Sequence, residues 1–149
     1  MKLSTKSRYA LEGLLYMAVY GTDRPMSVKE TAAGISVSAA YMEQIFFKLK
    51  KAGLLSPVRG AKGGFVFGQP ENEITVGSII RAIDGNLVPV GCVDNLSACT
   101  SKARSSCVSR GVWIRIGSAI SDTADHLTLT MLKNRFIAEN GDVKNENIN

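Results

Sequence analysis

Cys92, Cys99 and Cys107 fall within sixteen positions of a 149-residue chain that has no other cysteine, in the pattern Cys-x6-Cys-x7-Cys. An odd, clustered set of thiols does not suit a disulfide framework and points to metal, iron-sulfur or redox chemistry. Soft thiolates serve zinc and iron-sulfur clusters alike. The spacing is not the Cys-x2-Cys of zinc ribbons or ferredoxins, so metal, cluster and redox thiols stay open alternatives. Lys102, Arg104 and Arg110 lie among or beside the thiols, where positive charge lowers thiol pKa and offsets a thiolate-ligated cluster. The single histidine, His126, reads as structural or exposed rather than as a ligand.

A second chemistry is carried by charge. The chain has 18 Lys+Arg against 13 Asp+Glu, a net +5 and a sequence pI near 9.2. Residues 1–70 hold ten basic and four acidic side chains, net +6, whereas 71–149 hold eight and nine, net −1. Lys48, Lys50, Lys51, Arg59 and Lys62 lie in a window from Gln44 to Val66 that contains no acid. That is an electrostatic footprint for a polyanion, and double-stranded DNA is the expected partner. Tyr41, Gln44, Lys48 and Lys51 recur at helical spacing, with Glu43 beside them. Gln44 suits adenine, Glu43 can accept from cytosine N4, and Tyr41 suits phosphate or sugar. Because phosphates repel a carboxylate that finds no cytosine, Glu43 reads as a penalty on wrong sites; the plainer alternative is an exposed charge that favours the helix N-terminus.

These groups need elements to hold them. Apolar spacing from Thr5 to Tyr20 predicts a first helix, ended by Gly21 and Pro25. Ser27 with Glu30 reads as a capping box opening a short helix to about Ala33. Ser38 caps a third helix to about Ala52, with Met42, Ile45, Phe46 and Leu49 as its buried stripe and Gly53 as its stop. This is a helix-turn-helix with a basic outer face. The following residues approach period 2 around Gly60-Ala61-Lys62-Gly63-Gly64 and predict a hairpin, a wing carrying Arg59, Gly60 and Lys62. Thr75 caps a fourth helix closed by Gly85, and a loop of about two dozen residues then holds every cysteine. A longer helix from Val112 carries Trp113, Ile116, Ile120, Ala124 and Leu127 on one stripe, and a short helix follows around Met131 to Ala138. A stripe outside a complete small domain is buried by a second copy, so a homodimer reading two half-sites is expected.

The fold class expected is mainly α with a small β-hairpin: a winged helix-turn-helix core over 1–70, a linker helix, cysteine loop and dimerisation helix over 71–140, and a frayed tail over 141–149. No run of eighteen apolar residues exists and the N-terminus is polar, so neither a membrane span nor a secretory signal is expected, and the default is a cytoplasmic protein. The chain lacks a phosphate-binding glycine loop, a nucleophile elbow and a paired-carboxylate motif, which argues against an enzyme.

The opening MKLSTKSRYALEGLLYMA, Ser38 with Tyr41-Met42-Glu43-Gln44, Lys48-Leu49-Lys50-Lys51-Ala52-Gly53-Leu54, the wing Val58 to Gly64, Ile83-Asp84-Gly85 and the three cysteines together resemble the Rrf-two family of winged-helix transcription regulators. The resemblance implies a homodimeric repressor on pseudo-palindromic operators, with an iron-sulfur cluster held by Cys92, Cys99 and Cys107 near the dimerisation helix. It implies control of iron-sulfur assembly genes, or nitric-oxide or thiol sensing through the same cysteines. By the same resemblance, DNA contacts fall on Ser38, Tyr41, Glu43 and Gln44, with Arg59 in the minor groove. This chain departs from the family at Ala40 and at Ala61-Lys62, where a polar residue and Pro-Gly are usual. It also departs where cluster-binding relatives place a fourth ligand. A histidine three residues past the last cysteine is here Arg110, and an acid on the first helix is Arg8. The match at Glu43 and the missing acid favour [2Fe-2S] over [4Fe-4S], with Asp94, Ser109, His126, Glu43 or an exogenous thiol as candidates for the fourth position.

Overall fold

A computed structural model describes residues 3–21, 24–100 and 106–141. Along the chain run α1 (Thr5–Tyr20), α2 (Val28–Gly34), α3 (Ala39–Lys51), β1 (Leu55–Val58), β2 (Gly64–Phe67), α4 (Val76–Asp84), α5 (Gly91–Asp94), a 3-10 turn (Leu96–Ala98), α6 (Val108–His126) and α7 (Leu129–Asn140). Among the described residues no helix is long and apolar enough to cross a membrane. Of the tail, residues 142–149 lie outside the described residues, as do Lys102 and Arg104.

Hydroxyl caps set where α1, α2, α3 and α4 begin. The side chains of Ser4, Ser27, Ser38 and Thr75 each accept a hydrogen bond from the amide three residues on, a device worth about 1 kcal/mol apiece. The reciprocal box expected at Ser27 and Glu30 is only half formed, because the Glu30 carboxylate pairs with the Arg24 guanidinium instead. A complete box occurs at Thr75 and Ser78. Between α2 and α3, Ser36 takes a left-handed φ of 58° and Val37 donates back to the Ala32 carbonyl at 2.9 Å. That tight turn makes the two helices a helix-turn-helix.

Residues Ala10, Leu14, Met17 and Ala18 of α1 meet Met42, Ile45, Phe46 and Leu49 of α3, with Ile79 and Ile83 of α4 closing the same core. The predicted stripe of α3 is therefore buried in full. Phe65 of the hairpin packs edge-on to Phe46, ring centres 5.1 Å apart, which seats the hairpin on α3. The hairpin pairs antiparallel from Leu55 with Phe67 to Val58 with Gly64. Met26 adds a bridge outside it, donating to and accepting from Phe65 at 3.0 and 2.8 Å. Gly64 permits this third position: a Cβ there would stand 2.6 Å from the Met26 carbonyl oxygen.

The second half departs from expectation in three places. The cysteine loop is not featureless, since α5 and the 3-10 turn occupy its first part. The long helix starts at Val108 rather than Val112, with Cys107 at its N-cap. Its expected single stripe divides by position. Gly117 and Ala124 are buried and Asp125 receives a two-pronged ion pair from Arg81 at 2.7 Å, so this side docks on α4 and on Pro89. Val112, Trp113 and Ile116 stay exposed. The segment between α6 and α7 zips to the start of α4, where Val76 donates to Leu127 and Leu129 to Ile74, both at 2.8 Å.

Replacing Gly64 with Ala should push β2 off Met26 and lower stability by about 2 kcal/mol, measured by urea denaturation, since the obstruction is backbone and cannot swing aside.

Candidate nucleic-acid interface and its link to the cysteine loop

Ser38, Glu43 and Gln44 are exposed on the outer side of α3, and Arg59, Gly60 and Lys62 are exposed in the wing turn. Among the described residues Arg59, Lys62, Lys50 and Lys51 have no carboxylate partner, so their charge is free for phosphates. The Ser38 oxygen is used as a cap acceptor from the Tyr41 amide at 3.2 Å, which leaves its hydroxyl proton to donate outward. Tyr41 is half-buried, edge-on to Tyr9 with centres 5.8 Å apart, and its ring carries the Lys6 ammonium at 5.9 Å.

Lys48 behaves differently from its neighbours. Its ammonium donates to the Ile83 carbonyl at 2.7 Å and so caps the end of α4. The C-terminus of α4 reaches the same side of α3 and takes one of the three ammonium donors of Lys48. Two residues absent from the sequence-based set join the same network. Lys6 of α1 donates to the Gln44 side-chain oxygen at 3.2 Å. Asp84, the last residue of α4, accepts from the Ser4 amide at 2.9 Å, the Ser4 hydroxyl at 2.6 Å and the Ser7 hydroxyl at 2.7 Å. Burial pushes the Asp84 carboxyl up, but these hydrogen bonds and the Lys48 charge outweigh it and hold the group below its ordinary value. The signal that could have found them is weak: a Ser-Thr-Lys-Ser run before the first apolar stripe, and one acid at a helix end that favours bases.

The cysteine loop hangs from the same helix end. Just past α4, Asn86 donates to Asp94 of α5 at 2.7 Å. Arg110, in the first turn of α6, donates through Nε to the Cys92 carbonyl at 3.0 Å and ties α5 to α6. All three cysteines are free and half-buried. The hydrogen bond with Ser109, 3.1 Å from the sulfur, and the Arg110 amide draw the Cys107 thiol below its usual value. The donor type, three soft sulfurs, fits an iron-sulfur cluster. Among the described residues no three ligating side chains converge on a ready metal position. His126 lies at the far end of the 19-residue α6, roughly 28 Å from Cys107 at the helical rise, with Nδ1 against the Asp122 carbonyl, and cannot join the cysteines of its own chain. Arg8 stacks over Tyr9 and pairs with Glu12.

Residues 3–135 match the family model described as an iron-dependent transcriptional regulator, Rrf2. The chain belongs to the Rrf2 family. It is 32% identical over 143 residues to the transcriptional regulator IscR of Vibrio campbellii, covering 95% of this chain and 83% of that one. It is 36% identical over 129 residues to the transcriptional regulator CymR of Bacillus subtilis, covering 87% of each. Among solved structures, B. subtilis CymR, the global cysteine regulator, superposes with a TM-score of 0.73 over 91% of this chain and 98% of that one at 34% identity. T. potens IscR superposes at 0.74 over 94% and 91%, at 28% identity. This Rrf2 chain is thus a DNA-binding transcription regulator and not an enzyme, and its helix-turn-helix and hairpin are a winged helix.

Since the Asp84 carboxyl is depressed, the stability it adds is present above about pH 4 and is lost as pH falls through its lower folded value. Asp84→Asn should lower the melting temperature by about 3 °C at pH 7 and flatten the acid limb of a stability–pH curve, read by circular dichroism.

Proposed function

We propose that this regulator acts as a homodimeric repressor in the cytoplasm, binds pseudo-palindromic operators, and holds an iron-sulfur cluster through Cys92, Cys99 and Cys107, with iron-sulfur assembly genes under its control. One observation carries the reading. The loop that bears the cysteines is tied to the helix end that props the recognition helix, through Arg110 to Cys92, Asn86 to Asp94, and Asp84 and Ile83 to Ser4 and Lys48. A change of state in the loop therefore has a short polar route to the reading surface, and couplings of about 1–3 kcal/mol are typical of such switches.

A bound cluster supplies iron whose occupancy and oxidation state report supply and stress. The three cysteine sulfurs are the residues that hold it, and Arg110 offsets their negative charge. The resemblance to IscR, together with Arg8 where an acid would be needed, favours [2Fe-2S] over [4Fe-4S]. With His126 too distant, Asp94 and Ser109, each beside a cysteine, are the nearer candidates for the fourth position. The dimer reading is supported by the uncovered Val112, Trp113 and Ile116 on α6 and by an apolar recess of about 460 Å³ bordered by Leu3, Leu11, Val76 and Ile80. A second reading, thiol sensing without a cluster, is favoured by the depressed Cys107 thiol.

Anaerobically purified protein should be coloured and contain iron and sulfide, and replacing the three cysteines with Ala should remove both. A colourless, iron-free preparation that forms a reversible disulfide on mild oxidation, seen by intact mass, would establish the second reading instead. On operator DNA, Arg59→Ala should weaken binding about tenfold and reduce the salt slope, whereas Glu43→Ala should broaden the range of operators bound; an unchanged operator ranking would remove Glu43 from specificity.

A further inference from the structure

We infer that Lys6 fixes which base Gln44 can read, making it a positioning residue for operator choice that selects guanine over adenine. The inference rests on the DNA-reading role of α3 and concerns a residue outside both the recognition helix and the wing.

The geometry begins with the first turn of α1. Ser4 and Ser7 are both clamped by Asp84, so the residue between them that faces α3, Lys6, is held against the recognition helix and does not wave in solvent. Its ammonium donates to Gln44 Oε1 at 3.2 Å while lying 5.9 Å from the Tyr41 ring centre, and Tyr41 is itself braced by Tyr9. An ammonium has donors and no acceptor, so the carbonyl end of the Gln44 amide must be the end turned toward Lys6. The amide is thereby oriented, with Nε2 as its free end.

An unconstrained glutamine recognises adenine with both ends, Oε1 accepting from the N6 amino group and Nε2 donating to N7. Here Oε1 is engaged, and the adjacent positive charge repels any further amino donor that approaches it. What Gln44 and Lys6 jointly present is a set of donors. Guanine, whose major-groove edge offers O6 and N7 as two acceptors, matches that set; the amino groups of adenine and cytosine do not. Glu43, exposed next to Gln44, is the complementary acceptor and suits the cytosine amino group. The two neighbouring side chains then divide the labour, donors from the Lys6–Gln44 pair and an acceptor from Glu43.

The test is selection of operators from a randomised pool by the full-length protein, followed by affinity measurements at one salt concentration for the unaltered protein, Lys6→Met, Gln44→Ala and the double variant. Methionine keeps the aliphatic length of Lys6 at a partly exposed site, so the fold is expected to persist. The unaltered protein should prefer guanine at the base pair under Gln44. Lys6→Met should shift that pair about tenfold toward adenine and leave the order of preference elsewhere intact. Gln44→Ala should abolish the guanine preference, and adding Lys6→Met to it should then change no base preference. A Lys6→Met protein that loses affinity by the same factor on every sequence, with unchanged ranking, overturns the inference and leaves Lys6 as a phosphate contact. A base shift that persists in the Gln44→Ala background overturns it as well. Absence of any sequence preference in the unaltered protein overturns the operator-reading role on which the inference rests.

Discussion

Three donors from the start of α1 converge on the two oxygens of Asp84, and Lys48 from α3 lands one residue earlier on the Ile83 carbonyl. Helix ends gather partial negative charge from unsatisfied carbonyls, so an acid placed there is unfavourable unless donors surround it. Here they do, and they come from two other helices. The end of α4 thus becomes the junction at which α1 and α3 are held in register. Lys6, Tyr41 and Gln44 depend on that register, because the first turn of α1 would otherwise be free to fray away from the recognition helix.

The apolar core and these polar ties have separate tasks. Leu14, Met42, Ile45, Phe46 and Leu49 are buried almost completely and specify that α1 and α3 pack together. Packing of this kind tolerates small rotations of one helix against another. The hydrogen bonds to Asp84, Ile83 and Gln44 do not, since a donor displaced by an ångström loses most of its bond. A reading surface in which a base edge must be met within a few tenths of an ångström therefore relies on the polar layer for its fine geometry and on the core for its existence.

Much of the fold was legible because its helix starts are written in local chemistry. Ser38 and Thr75 cap where their residue types suggested, and Gly53 and Gly85 stop the helices where expected. Legibility fails where local chemistry is silent. Cys107 begins α6 without a side-chain cap bond, and Val108 and Gly111 continue no apolar stripe, so the first turn of α6 was invisible. A helix of four residues such as α5 is too short to show a period. Ser27 and Glu30 looked like a reciprocal box until Arg24, close in space, proved the stronger partner for the carboxylate. The site was legible as a list and not as a network. The bonds from Lys6 to Gln44 and from Ser4 to Asp84 join positions 38 and 80 residues apart, and no spacing rule reaches that far.

The ion pairs also follow a division that bears on how the molecule meets salt. Arg81 with Asp125 and Lys133 with Glu71 tie elements of residues 71–149 to one another, whereas among the described residues Arg59, Lys50, Lys51 and Lys62 have no carboxylate partner around the wing and α3. Pairs as exposed as Arg81 and Asp125, with 35% and 43% of their side chains accessible, contribute little to folding in water and have little to lose when screened. Unpaired cations on a polyanion lose steeply under the same screening. Ionic strength is therefore a control that acts on occupancy of the genome while leaving the architecture of the regulator nearly untouched.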